Sequence, residues 1–254
     1  MKTSLTIVIP VYNEASRLQR AFDSLNSLRL PSPLKVNQVI FVNDGSKDES
    51  LKILRNAKLK FPKKIISYRH NLGKGYAVKR GMLASKSEFT LLTDADIATP
   101  LTEIDKFLPY IKAGLDVIIG TRKNGRSTVT VHQPFIRENM GKVFTALSRL
   151  ILGVNVTDFT CGFKVFKKGA REAIFKRALV NRWGYDSEVL FLAHKLGFNM
   201  VERSVSWADQ RNTKVRLLND AVNSFKELLE IRFNYFSGKY KIVYNYPKRE
   251  YNFS

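Results

Sequence analysis

The 254-residue chain holds a single cysteine, Cys161, and three histidines. One thiol cannot close an internal disulfide, so the fold must rest on its core, and a reducing compartment suits it. His70, His132 and His194 are scattered and show no metal-ligand spacing. No stretch approaches the about 18 uninterrupted apolar residues of a membrane span, and the run Leu5 to Ile9 is too short for a signal-peptide core. Any membrane contact is therefore expected to be peripheral. Acidic residues are scarce as well: 22 Asp and Glu stand against 43 Lys and Arg, a formal net charge of +21. That balance favours acidic partners such as phosphates or anionic lipid. Nucleic acid is permitted by the charge but not expected, because zinc spacing, a basic zipper and aromatic RNA-binding motifs are all missing. Internal repeats and low-complexity linkers are missing too.

What is present is a regular alternation. The apolar runs Leu5 to Val11, Val36 to Val42, Lys64 to Tyr68, Phe89 to Thr93 and Val117 to Ile119 read as buried strands. Helical patterns separate them, as where Leu18, Phe22 and Leu25 recur on one face. Ser46 with Glu49 reads as a capping box opening one helix, and Thr99 with Pro100 as the start of another. This β-α-β-α order predicts an α/β fold with a mostly parallel central sheet, helices on both faces and ligands beyond the C-terminal strand ends. After Arg122 the pattern loosens. Gly125 to Pro134 reads as a mobile loop, Arg137 to Leu152 as an amphipathic helix and Phe163 to Phe166 as a strand. Ser187 to Leu196 is expected to be a helix, Met200 to Trp207 a strand and Leu217 to Phe236 a last amphipathic helix before a Tyr- and Lys-rich tail. The expected organisation is a catalytic domain over residues 1–216, with helix and tail over 217–254.

The polar clusters fall where the strands end. Asp94 and Asp96 are two residues apart, so on a strand both carboxylates face one way and can hold a hard cation, Mg²⁺ or Mn²⁺, together with substrate phosphates. Asp44 in Asp44-Gly45-Ser46 can accept hydrogen bonds from a nucleoside, or form an Asx turn. Gly73-Lys74-Gly75 offers backbone N–H groups and a cation to a diphosphate. It is neither the phosphate loop of nucleoside triphosphatases nor the dinucleotide fingerprint, since Val78 stands at the third glycine.

In order along the chain, Val8 to Glu14, Val42 to Ser46, Asn71 to Gly75, Asp94 to Asp96 and Gly120 to Arg122 resemble the motifs of family 2 glycosyltransferases with the GT-A (Rossmann-like) fold. The resemblance spans roughly residues 4–236. Asp158 to Phe166 and Arg182 to Glu188 are similar to the polyprenyl-phosphate branch, with dolichyl-phosphate β-glucosyltransferases nearest and mannose synthases next. The resemblance implies an inverting transfer of a hexose, glucose from UDP-glucose being favoured over mannose from GDP-mannose, to a polyprenyl or dolichyl phosphate. It implies that Pro10, Tyr12, Glu14 and Asp44 hold the nucleoside, that Lys74 and Ala95 line the donor, and that Asp94 and Asp96 bind the metal. Arg122, Arg137 and Lys214 would grip the acceptor phosphate, although Asn212-Thr213-Lys214 replaces the family's Gly-Ser-Lys and Asn43 replaces the first aspartate of Asp-Asp-Gly. Asp158 would be either a base or an orienting group. Competing readings are a transferase acting on a sugar hydroxyl, a sugar-nucleotide sensor and a basic nucleic-acid-binding protein. Trp183 and Trp207 read as core. The last helix and the tail, with Tyr240 among its aromatics, are expected to lie peripherally on the anionic cytoplasmic face of a membrane.

Overall fold

In the computed structural model the chain is described over residues 2–123, 127, 129–131, 135–208 and 217–242, with the backbone alone at 129–131, 135–138 and 217–222. Continuous apolar runs make the first half a series of buried strands and covering helices: β1 (Thr3–Val11), α1 (Leu18–Ser27), β2 (Leu34–Asp44), α2 (Ser50–Asn56), β3 (Lys63–Tyr68), α3 (Lys74–Ala84) and β4 (Phe89–Leu92). A 3-10 helix, Leu101–Phe107, then runs into α4 (Leu108–Lys112) and β5 (Val117–Thr121). The second half contains β6 (Val129–Val131), α5 (Phe135–Leu152), β7 (Lys164–Lys167), α6 (Lys168–Arg177), α7 (Tyr185–Lys195), β8 (Met200–Ser204), β9 (Trp207–Ala208) and α8 (Leu217–Phe236).

Seven strands form one sheet in the order β3-β2-β1-β4-β7-β5-β8. All neighbouring pairs are parallel except those of β7, which runs antiparallel to both β4 and β5. From β1 the chain winds outward to β2 and β3, then returns to place β4 on the other flank of β1. The loops after β1 and β4 therefore diverge across a crevice at the C-terminal strand ends, the usual ligand position in open α/β sheets. Alternate side chains feed two cores. Val8, Ile40 and Val42 pack with α3, α6, α7 and α8 on one face. Ile7, Ile9, Val39 and Phe41 pack with α1, α2 and the 3-10 helix on the other.

Several local expectations are corrected. The Ser46 hydroxyl does not cap a helix but accepts the Asn13 N–H at 3.0 Å, and α2 starts four residues later at Ser50 without a side-chain cap. Pro100 precedes a 3-10 helix, not an α-helix. Within the segment Gly125 to Pro134, expected to be a mobile loop, β6 pairs in parallel with β9, and apart from Ser127 the rest of that segment lies outside the described residues. Leu228 and Ile231 of α8 are fully buried beside α7, so α8 packs on the core. Tyr240, expected at a membrane interface, is buried, and its hydroxyl donates to Glu188 Oε1 at 2.7 Å. Glu188 also accepts the N–H groups of Leu179 and Val180 at 2.8 and 3.0 Å, which ties the α6–α7 loop to the C-terminal segment. Tyr240→Phe removes one hydrogen bond to a buried carboxylate and is expected to cost about 1.5–3 kcal/mol. Urea unfolding checks it, with a lower midpoint at an unchanged slope.

Candidate active site

β4 ends at Leu92, and Asp94 and Asp96 lie in the turn that follows, where Ile97 N–H bonds the Asp94 carbonyl at 3.2 Å. The two carboxylates are thus brought together by this turn and not by strand alternation, which corrects the geometry expected for them. Asp94 Oδ1 meets the Lys74 ammonium at 2.7 Å, and Asp96 Oδ1 accepts the Ala98 N–H at 3.0 Å. Burial alone would lower the Lys74 pKa, but Asp94 and Asp186 push it up to about 12. Burial likewise opposes ionisation of Asp94, and Lys74 overcomes it and holds the carboxyl below its usual range. Asp96 is driven the other way, by burial and by the negative charge of Asp94. Two half-buried carboxylates, one raised by the other, form a site that a hard cation relieves. Among the described residues no group of three His, Cys, Asp or Glu could hold a metal. The oxygen donors of Asp94 and Asp96 would by themselves suit a hard cation such as Mg²⁺ or Mn²⁺, with substrate oxygens and water supplying its remaining ligands.

Asp44, buried at the end of β2, builds the neighbouring loop. It accepts Asn71 Nδ2 at 2.7 Å and the N–H groups of Leu72 and Gly73 at 2.8 and 3.0 Å. Expected to meet the nucleoside, this carboxylate thus also fixes the turn that presents Lys74. Gly73 has φ +104°, and a β-carbon there would collide with the Asn181 carbonyl, so only glycine lets the loop lie against the α6–α7 connection. Pro10 is buried at the end of β1, Tyr12 is half-buried beyond it, and Glu14 pairs with Arg17 at 3.2 Å. Ala95 is buried between the two aspartates.

A second pair closes the other flank. Asp158 has no solvent exposure and binds Arg122 in a fork, Nε to Oδ2 at 2.7 Å and Nη2 to Oδ1 at 2.9 Å, with the Arg122 N–H at 3.1 Å. Burial opposes its charge, yet the guanidinium holds Asp158 far below the usual carboxylate range. The Arg122 guanidinium also stands 5.2 Å from the centre of the Trp207 ring. Arg137 lies in the first turn of α5 with its side chain outside the described residues, as is the whole of Lys214.

The profile described as Glycosyl transferase family 2 matches residues 6–175, more than half of the chain. The chain belongs to that family. The dolichyl-phosphate beta-glucosyltransferase of Dictyostelium discoideum is 30% identical to it over 251 residues, which span 94% of this chain and 76% of that protein. The dolichyl-phosphate beta-glucosyltransferase of Homo sapiens is 28% identical over 255 residues, spanning 94% and 78%. A solved structure of glucosyl-3-phosphoglycerate synthase from Mycobacterium tuberculosis in complex with Mn²⁺ and uridine-diphosphate-glucose has a TM-score of 0.64 at 19% identity, covering 91% of this chain and 79% of that one. This likeness shows the shared GT-A fold.

Within this family 2 fold, the structure adds residues that sequence reading passed over. A β-carbon on Gly162 would strike the Asp94 carboxylate, so the β7 approach loop lies directly against the candidate metal ligand. That loop is fixed by Lys164, which is buried and donates to Asp186 Oδ1 at 2.5 Å and to the Phe159 and Cys161 carbonyls at 3.0 and 2.6 Å. A lysine inside an apolar strand was the available signal. Gly162→Ala is expected to displace Asp94 and to lower kcat at least about tenfold, since small misplacements at a reacting centre are costly. Unchanged near-ultraviolet circular dichroism alongside the kinetic loss checks that the fold survives. Trp183 is also corrected: it is 39% exposed, with its ring 5.7 Å from Lys74 Nζ, while the Tyr185 ring stands at 5.9 Å. Trp207 is half-buried, not core.

Proposed function

We propose that this family 2 glycosyltransferase moves glucose from UDP-glucose to a dolichyl or related polyprenyl phosphate, with inversion, using Mg²⁺ or Mn²⁺ at Asp94 and Asp96. The carrying observation is the convergence of Lys74, Asp94 and Asp96 beside the loop that Asp44 anchors. The dolichyl-phosphate glucosyltransferases among the relatives support the acceptor, and the neighbour holding Mn²⁺ and UDP-glucose supports the donor and metal.

When bound, the cation offsets negative charge on the departing diphosphate. Lys74, kept protonated by its acidic neighbours, adds a fixed positive charge at the same place. Asp44 and the Gly73 turn hold that lysine at the start of α3, with Pro10, Tyr12 and Glu14 lining the nucleoside side. An acceptor phosphate is already anionic at neutral pH and needs no base. Asp158, committed to Arg122, therefore orients the guanidinium and does not remove a proton. Arg122, with Arg137 and Lys214, places the phosphate in line behind the anomeric carbon, and direct displacement inverts it. The locked state of Asp158 also counts against a sugar hydroxyl as acceptor.

A panel of UDP- and GDP-sugars with a short polyprenyl phosphate and either metal, read by mass spectrometry of the lipid, tests this. A hexosyl phosphate lipid from UDP-glucose is the expected product. Product from GDP-mannose alone overturns the donor, and no lipid product from any sugar overturns the acceptor. Because a polyprenyl phosphate keeps its head group at the bilayer surface, the enzyme would meet it peripherally at a membrane. No helix among the described residues is long and apolar enough to cross a membrane.

A further inference from the structure

Among the described residues ten large apolar side chains are exposed, and six of them are on two adjacent helices: Val143 and Leu150 of α5, and Phe225, Leu229, Phe233 and Phe236 of α8. The inner sides of these helices are spent on the core, Leu152 from α5 and Leu228 with Ile231 from α8. At 3.6 residues per turn, the four exposed side chains of α8 fall within about 80° of arc. Arg232 borders that arc on one edge and Lys226 on the other. Two cations lie over the rings: the Arg232 guanidinium is 4.6 Å from the centre of Phe236, and Lys239 Nζ, from beyond the helix end, 5.3 Å from that of Phe233. Phe233 and Phe236 remain 64% and 71% exposed.

We propose that the outer face of α8, with the adjoining strip of α5, is the surface that seats the enzyme on an anionic lipid bilayer. This rests on the reading of a lipid-linked phosphate as acceptor. Aromatic rings flanked by cations on a helix lying flat match the boundary between acyl chains and anionic head groups. Each cation near such a surface adds about 1 kcal/mol to binding. Position decides between a bilayer and a second copy of the chain. On the inner side of α8, Glu227 accepts the Gly184 N–H at 2.7 Å, and Gly184 lies between Trp183 and Tyr185, the two rings beside Lys74. The docking face and the surroundings of Lys74 are thus separated by little more than one helix, about 10 Å across. A phosphate tethered in the bilayer surface can cover such a gap. A protein partner on this face would hold the bilayer away.

Flotation of the full chain with vesicles of phosphatidylcholine and increasing phosphatidylserine, free of acceptor, reads docking apart from catalysis. Wild type is expected to bind in proportion to the anionic lipid. Phe233→Ser with Phe236→Ser is expected to weaken binding at least tenfold at an unchanged Tm, and Lys226→Gln with Arg232→Gln to flatten the dependence on phosphatidylserine. With a long-chain acceptor in vesicles the Phe variant should lose at least tenfold in turnover, while turnover of a water-soluble short-chain acceptor stays at the wild-type level. Equal flotation of wild type and the Phe variant overturns the proposal. So does a wild-type dimer that the Phe variant converts to monomer without any lipid binding, which makes the face a contact between copies. If vesicles bind as expected but no polyprenyl phosphate is glycosylated, the acceptor reading fails and the docking surface stands.

Discussion

Asp94→Asn is expected to lower kcat by about a hundred- to a thousandfold, the scale of losing a principal charge-stabilising group at a reacting centre. The substitution keeps the shape of the turn but removes the charge that meets Lys74 at 2.7 Å and that would bind the cation. Asp96→Asn should fall in the same range, because a cation with two protein carboxylates loses half of its anionic protein ligands in either variant. Neither change should unfold the protein. Asp94 is about a third exposed, and pairs with that much solvent contribute about 1 kcal/mol or less, so Tm should move by no more than about 4 °C. Calorimetric titration with Mn²⁺ and UDP-glucose should show metal-dependent donor binding in wild type and its loss in both variants. Wild-type turnover in either one removes the metal assignment.

Asp158→Ala carries the largest expected cost in stability. The carboxylate has no solvent exposure, and its removal takes away both forked bonds to the Arg122 guanidinium and the acceptor of the Arg122 N–H, leaving Nη2 its bond to Thr160 Oγ1 at 2.9 Å. Breaking a buried ion pair from one side costs about 3–5 kcal/mol, and the low end applies because Arg122 keeps some solvent, which amounts to a fall in Tm of about 6–12 °C. The sign of the pH dependence follows from the depressed folded pKa. The contribution of Asp158 is complete above its unfolded value near 4 and disappears as pH falls through that value toward the folded one. The gap in Tm between wild type and variant should therefore be widest near neutrality and should narrow below about pH 4. Catalysis separates the two roles this residue could have. An orienting Asp158 raises the acceptor KM in Asp158→Asn and leaves the shape of the kcat–pH profile unchanged. Loss of an acidic limb in that profile would make it a base.

The motif residues were legible because their positions are local properties. Asp44 and the Asp94–Asp96 pair stand where apolar runs give way to polar residues, and in a parallel sheet those breaks gather at one edge. Their partners were not legible. The sequence pairs Asp44 with a nucleoside or an Asx turn, and the structure adds the bonds that build the Lys74 loop. The sequence leaves Asp158 as either base or orienting group, and only the fork from Arg122 shows how firmly it is held. The exposure of Trp183 was not legible, because an isolated aromatic has no periodicity to mark which side it faces.

By itself the sequence determined the strand–helix alternation, the mostly parallel sheet and the edge on which the candidate site residues gather, since apolar periodicity records how each short segment divides between core and solvent. It also determined that the second half departs from that order. Only the tertiary structure decided that β7 runs antiparallel between β4 and β5, that Gly162 lies against Asp94, and that α8 turns Leu228 and Ile231 inward while Phe233 and Phe236 face out. Strand direction and ion-pair choice depend on where distant segments cross. A hydrophobic pattern has the same period whichever way a strand runs, and a charge in the sequence does not name the opposite charge it will meet.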